Sequence, residues 1–196
     1  MFFSLIYASL EMEEYKGKKS DVSIGYYNMI KLRHIPSNLY LSSIELNYEI
    51  GSIQQVIRGI KKGTLAETYW TIFPPINQTI SQGTPIQCPS MIRLIHGSTG
   101  KHLHSHLFNA HNSTGHEVSG FDGNDTGDHW LVECNGDWKL DTEIKLKHVD
   151  TNYYLNANIS SLYDKIEGGE FEIYASEKSD NANWIIGGGL FVSADL

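Results

Sequence analysis

Ile92–Ser105 reads IRLIHGSTGKHLHS, and the same fourteen-residue pattern stands twice more without a gap, as IKLRHIPSNLYLSS at Ile30–Ser43 and IKLKHVDTNYYLNA at Ile144–Ala157. The shared skeleton is I-K/R-L-x-H-x6-L-x-S/A. Each copy is followed by a second β-like stretch, at Gln54–Gly59, His116–Phe121 and Glu170–Ala175, and then by a strand start at Tyr69-Trp70, His129-Trp130 and Asn183-Trp184. The repeat histidines, His34, His96 and His148, are 62 and 52 residues apart; the tryptophans, 60 and 54. Such a spacing lies above the usual solenoid range, and no polar end-caps of the kind a solenoid needs are present. Three units that bury their faces against one another in a closed, pseudo-threefold arrangement fit better.

Within a unit the period is two. Ile92, Leu94 and His96 share one face, and Arg93 and Ile95 the other. Gly97–Gly100 (GSTG) is a small, polar cluster of the kind that reverses a hairpin, matched by Ile35–Asn38 and Val149–Asn152. Leu103 resumes a strand, with His102, His104 and His106 on its opposite face. No stretch carries a sustained helical stripe with caps. The pattern predicts an all-β chain, a β-trefoil of about 12 strands, whose closure removes the sheet edges that invite aggregation.

The 196 residues suit one globular domain with a substantial core, and 18 glycines suit a turn-rich β protein. The expected domain spans residues 21–196, with repeats at about 25–80, 81–137 and 138–190. A net charge of −8 argues against nucleic acid or an anionic membrane as the main partner, since both need a basic patch. Lys61-Lys62 and the lysines of 16–19 read as solvated charge. Residues 1–20 stand apart. The apolar run Phe2–Leu10 is too short to span a bilayer and reads either as a truncated secretory signal or as an apolar leader outside the folded core.

Cys88 and Cys134 flank the second repeat. The start and end of a trefoil unit lie close together, so this placement favours a disulfide, and with it an oxidising compartment, over two buried free thiols. N-x-S/T sequons at Asn77, Asn112, Asn124 and Asn158 are candidate glycosylation sites and agree with a secretory context. His34, His96 and His148, on the face of the repeat leucines, read as buried structural histidines. His102, His104, His106, His111 and His116 fall within fifteen residues. Three of them alternate on one strand face, where imidazoles could hold a divalent metal. Position 102 corresponds to Tyr40 and Tyr154, and 104 to Ser42 and Asn156, so the reading is an outward polar surface without metal or cofactor. Asp122, Asp125 and Asp128 lack calcium-loop spacing and read as a solvated turn. No nucleophile elbow, phosphate-binding glycine loop or H-E-x-x-H is present, so no enzyme activity is expected.

The L-x-H strand with its closing tryptophan, three times over, resembles the MIR motif shared by protein O-mannosyltransferases and the inositol-trisphosphate and ryanodine receptors. Gly83–Phe108, Glu117-Val118-Ser119 and Trp130–Gly136, both cysteines included, resemble the stromal cell-derived factor two family more closely. The resemblance covers about residues 22–190. It implies a β-trefoil of the endoplasmic reticulum lumen that associates with a luminal J-domain co-chaperone and a BiP-type chaperone and serves quality control of unfolded clients. Its end, Ser193-Ala194-Asp195-Leu196, matches an H-D-E-L retention signal only loosely. The strand Lys101–His106, with Lys101, His102, His104 and His106, differs most from its symmetry mates and is the expected partner-binding patch. The alternative is a glycan-binding module in which Tyr40 and Tyr154 stack on a sugar ring, although the lectin Q-x-W signature is absent.

Overall fold

The structure is a computed structural model that describes residues 5–8, 21–163 and 170–192. Strand β1 (Leu5–Ala8) precedes the repeats. Unit 1 supplies β2 (Met29–His34), β3 (Tyr40–Asn47), β4 (Gln55–Ile60) and β5 (Trp70–Phe73). Unit 2 supplies β6 (Ser90–His96), β7 (His102–Asn109), β8 (His116–Phe121) and β9 (Trp130–Glu133). Unit 3 supplies β10 (Lys145–His148), β11 (Tyr154–Leu162), β12 (Phe171–Ser176) and β13 (Trp184–Val192). Each unit therefore has four strands, as the periodicity predicts. Among the described residues no helix is long and apolar enough to cross a membrane.

The outer strands of the units close a six-member ring. β2 pairs β5, β5 pairs β6, β6 pairs β9, β9 pairs β10, a bridge joins Ile144 to Trp184 at the start of β13, and β13 returns to β2. The inner strands form three hairpins, β3–β4, β7–β8 and β11–β12. Their second strands, β4, β8 and β12, pair with one another in a triangle over one end of the ring. All three hairpins shift register at matching places to within one residue, between Ser43 and Asn47, Ser105 and Asn109, and Asn158 and Leu162. Such a bulge bends a strand and increases its twist, which helps each hairpin fold over the ring.

The repeat residues make the core. Leu32, Leu94, Leu146, Trp70, Trp130 and Trp184 are fully buried. Buried indole N–H groups need acceptors, and here each donates to the carbonyl of its unit's hairpin leucine: Trp70 to Leu41 at 3.1 Å, Trp130 to Leu103 at 2.8 Å and Trp184 to Leu155 at 3.0 Å. The motif thus ties a ring strand to a hairpin strand three times over.

His34, His96 and His148 are buried beside these tryptophans. Each Nε2 meets a carbonyl, of Asn181, Glu67 and Gly127, and each Nδ1 meets a hydroxyl three residues on, of Ser37, Thr99 and Thr151. A carbonyl only accepts, so Nε2 carries the proton and Nδ1 accepts from the hydroxyl. Burial pushes His34 and His148 down to about 4.

Cys88 and Cys134 are joined in a disulfide where β6 begins and β9 ends. Within the apolar leader, β1 pairs antiparallel with β13, Leu5 opposite Val192 and Ala8 opposite Gly189. The edge of β13 away from β2 carries unpaired backbone groups there, and the leader supplies their partners.

Candidate functional site

The histidines of β7 do share one face, but that face is not a free surface. The turn Thr126–Asp128 lies over it. Asp125 caps this turn by accepting from the N–H of Gly127 at 2.9 Å, while Asp128 accepts from the N–H of Asp125 at 3.1 Å. This reciprocal capping box turns Asp128 onto β7. Asp128 is fully buried, so the sequence reading of a solvated turn holds for Asp122 and Asp125 and fails for Asp128. Its two carboxylate oxygens meet two rings, His102 Nδ1 at 2.8 Å and His104 Nδ1 at 2.9 Å. Burial alone would push the Asp128 carboxyl up, but the hydrogen bonds from both histidines outweigh it and hold the group below the usual carboxylate range. Gly127 packs its backbone against the His104 ring, leaving no room for a Cβ.

A second buried carboxylate stands two strand positions further along. Glu117 on β8 is 1% exposed and meets His111 Nε2 at 3.0 Å, His106 Nε2 at 3.4 Å and the hydroxyl of Ser52. Desolvation raises its pKa, yet His106 and Ser52 together bring it below the ordinary value. Ser52 belongs to the hairpin end of unit 1, so Glu117 bridges two units.

Unit 3 repeats the arrangement. Glu172, fully buried on β12, accepts from the Asn112 N–H at 2.9 Å and the Ser113 hydroxyl at 2.5 Å, both at the hairpin end of unit 2. The pairings Ser43–Ile57, Ser105–Val118 and Ala157–Ile173 align the three hairpins. They place Val56 of unit 1 where units 2 and 3 carry Glu117 and Glu172. At that third junction a valine replaces the buried glutamate, and a groove of about 350 Å³ opens, lined by Leu46, Tyr48, Ile50, Val56, Leu162 and Tyr163 with Asn47, Glu49, His111 and Asn112 among them. Leu46, Ile50 and Leu162 are 43, 67 and 48% exposed, against a handful of other exposed large apolar residues that include Leu107 and Phe108 at the tip of unit 2. The buried Tyr48 hydroxyl binds the Val118 carbonyl at 3.0 Å and the Tyr163 hydroxyl at 3.3 Å, tying the three hairpin ends together.

Other expected sites shift. Lys101–His106 is not an exposed patch: β7 pairs with β8 and bridges to β6, the turn covers its histidine face, and Lys101 is half-buried with Nζ 2.7 Å from Asp122. Exposure begins at the next residue, Leu107. Tyr40 is half-buried, with the backbones of Gly63 and Gly187 close against its ring. Tyr154 is half-buried with Lys147 Nζ 5.7 Å from its ring centre. Asn77, Asn112 and Asn124 are exposed, while Asn158 is half-buried and donates to Ser113 at 3.0 Å. Glu117, Asp128, Glu172, Tyr48 and Tyr163 had no place among the expected site residues. The one signal available was Glu117 and Glu172 at matching repeat positions.

No protein-family model matches the chain. Similar proteins do. The stromal cell-derived factor 2-like protein of Arabidopsis thaliana is 36% identical over 182 residues, covering 89% of this chain and 83% of the relative. That of Dictyostelium discoideum is 34% identical over 177 residues, covering 86% and 84%. The chain belongs to the stromal cell-derived factor 2 family. The crystal structure of the SDF2-like protein from Arabidopsis thaliana superposes with a TM-score of 0.85 at 32% identity, over 89% of this chain and all of that one. The Saccharomyces cerevisiae protein O-mannosyltransferase Pmt1-Pmt2 complex bound to the sugar donor matches with a TM-score of 0.75 at 25% identity, over 84% of this chain and 25% of that chain. The likeness to a protein O-mannosyltransferase therefore extends to the three-dimensional structure.

This member of the stromal cell-derived factor 2 family should be acid-labile. Asp128 and Glu117 have depressed folded pKa values, so the stability they add is present above the unfolded carboxylate value and is lost as pH falls through the folded one. His34 and His148 titrate near 4 when folded but near the ordinary imidazole value when unfolded. The unfolded chain thus binds more protons across that interval, and stability is lost there too as pH falls. The urea midpoint should decline steadily from pH 7 to pH 4. A midpoint flat over that range would show that His34 and His148 are not held as described.

Proposed function

We propose that this chain is a non-enzymatic chaperone accessory factor of the endoplasmic reticulum lumen, built as a β-trefoil, that docks a luminal J-domain co-chaperone together with a BiP-type chaperone. The closed ring with its triangle of hairpins supports the trefoil reading. The disulfide supports an oxidising compartment. Membership of the stromal cell-derived factor 2 family supports the chaperone role. The observation that carries the binding reading is the apolar groove at the junction of units 1 and 3. Threefold equivalence is broken there by Val56, and apolar side chains stay in solvent around a rigid, hydrogen-bonded frame.

The test is a binding measurement between the purified chain and a luminal J-domain co-chaperone. Ile50→Asp and Leu162→Asp lie on exposed positions, so both variants should fold. Each is expected to weaken the complex at least tenfold. Absence of binding by the wild type would overturn the partner, and unchanged binding by both variants would overturn the surface.

A polar cleft supports a second reading, glycan binding. It measures about 910 Å³ between units 2 and 3 and includes Asn109, Asn156, Asn158, Tyr153 and Tyr174. Asparagine amides offer paired donors and acceptors to sugar hydroxyls, and tyrosine rings offer apolar faces. A glycan array distinguishes the two, since the groove variants would leave glycan capture intact.

A further inference from the structure

The geometry points to a divalent transition-metal site on the capping turn of unit 2, formed by His104 Nδ1, Asp125 Oδ1 and Asp128 Oδ1. Ligand atoms of these three residues lie within 4.8 Å of one another. His104 Nδ1 is 2.9 Å from Asp128 Oδ1 and 3.6 Å from Asp125 Oδ1. Zinc bonds of about 2.0–2.2 Å in tetrahedral geometry separate donor atoms by about 3.3–3.5 Å, and both separations from His104 Nδ1 lie within about half an ångström of that.

The local chain prepares the set. The capping box aims both aspartates from one turn at one strand. Gly127, without a Cβ, lets the His104 ring lie flush against that turn. His102 Nδ1 holds the other oxygen of Asp128 at 2.8 Å, as the supporting histidine or carboxylate does around bound metals. Asp125 is 55% exposed at its side chain, which leaves an entry path and a fourth position for water. On binding, the ion takes the place of the proton on His104 Nδ1, and the neutral imidazole carries its N–H at Nε2 instead. An imidazole in the donor set favours zinc-like ions over magnesium or calcium, which prefer oxygen alone. Arg93 hydrogen-bonds Asn124 next to the turn and offsets part of the two aspartate charges. The net charge of the donor set remains suited to a dication.

Calorimetric titration of the folded, disulfide-bonded chain with zinc chloride tests the site, with magnesium chloride as control. One zinc per chain is expected, with no magnesium heat. Asp125→Asn keeps the acceptor for the Gly127 N–H and lies on the surface, so the variant should fold; it is expected to bind zinc at least tenfold more weakly. His104→Gln should do the same, and His111→Gln, in the neighbouring Glu117 cluster, should bind as the wild type does. Cobalt should give the wild type a tetrahedral visible band that Asp125→Asn lacks. No zinc binding by the wild type, undiminished binding by Asp125→Asn, or loss of binding in His111→Gln would each overturn the assignment.

Discussion

Trp130→Ala is expected to destabilise the fold by about 3–5 kcal/mol, the range for truncating a fully buried tryptophan. Trp130 has no exposed surface, packs 5.0 Å from the His148 ring centre, and donates its indole N–H to the Leu103 carbonyl at 2.8 Å. The substitution removes a large ring and leaves that carbonyl unpaired inside a dry core. Two units feel the loss, because His148 belongs to unit 3 and Leu103 to the hairpin of unit 2. Trp130→Phe separates the two contributions. It keeps most of the apolar volume and forfeits the hydrogen bond, at a cost of about 1–3 kcal/mol for the orphaned acceptor. Urea unfolding followed by circular dichroism reads both. A loss below about 1 kcal/mol for the alanine variant would contradict a core built on the repeat tryptophans.

Replacing Cys88 and Cys134 together by alanine should cost about 3–4 kcal/mol, the chain-entropy value for a loop of this length. The bond spans 46 positions and closes unit 2 on itself. Backbone pairing supports the same closure, with the Cys88 N–H on the Gly136 carbonyl at 2.8 Å and a bridge between Gln87 and Asp137. The variant should therefore keep the same fold while unfolding at lower urea. Mass spectrometry of the alkylated, non-reduced protein should find both thiols protected. Two freely alkylated thiols in the native protein would count against the bond and against an oxidising compartment together.

The repeat made most of the architecture readable. Alternation in IRLIHGSTGKHLHS placed the ring strand, the turn and the hairpin strand within a residue or so of their positions, because apolar residues at every second place can be buried on only one side of a strand. The buried histidines were readable for the same reason, and the serine or threonine three residues on completes each one through a short local turn. The reading failed where burial came from another segment. Symmetry mates Tyr40 and His102 look interchangeable along the chain, yet one lies close against glycine backbones and the other clasps Asp128.

By itself the sequence determined an all-β chain of three four-stranded units with a leucine, histidine and tryptophan core. These properties depend on spacing within a few residues, which the chain carries directly. Only the tertiary structure decided which carboxylates are buried. Glu117 meets Ser52 across 65 positions and Glu172 meets Ser113 across 59, contacts fixed by how three hairpins converge. It also decided where the threefold repeat stops being equivalent. A valine at position 56 is an ordinary strand residue when read along the chain. Only its place opposite Leu162 and Tyr163, where two other units bury a glutamate, makes it the floor of an open apolar groove.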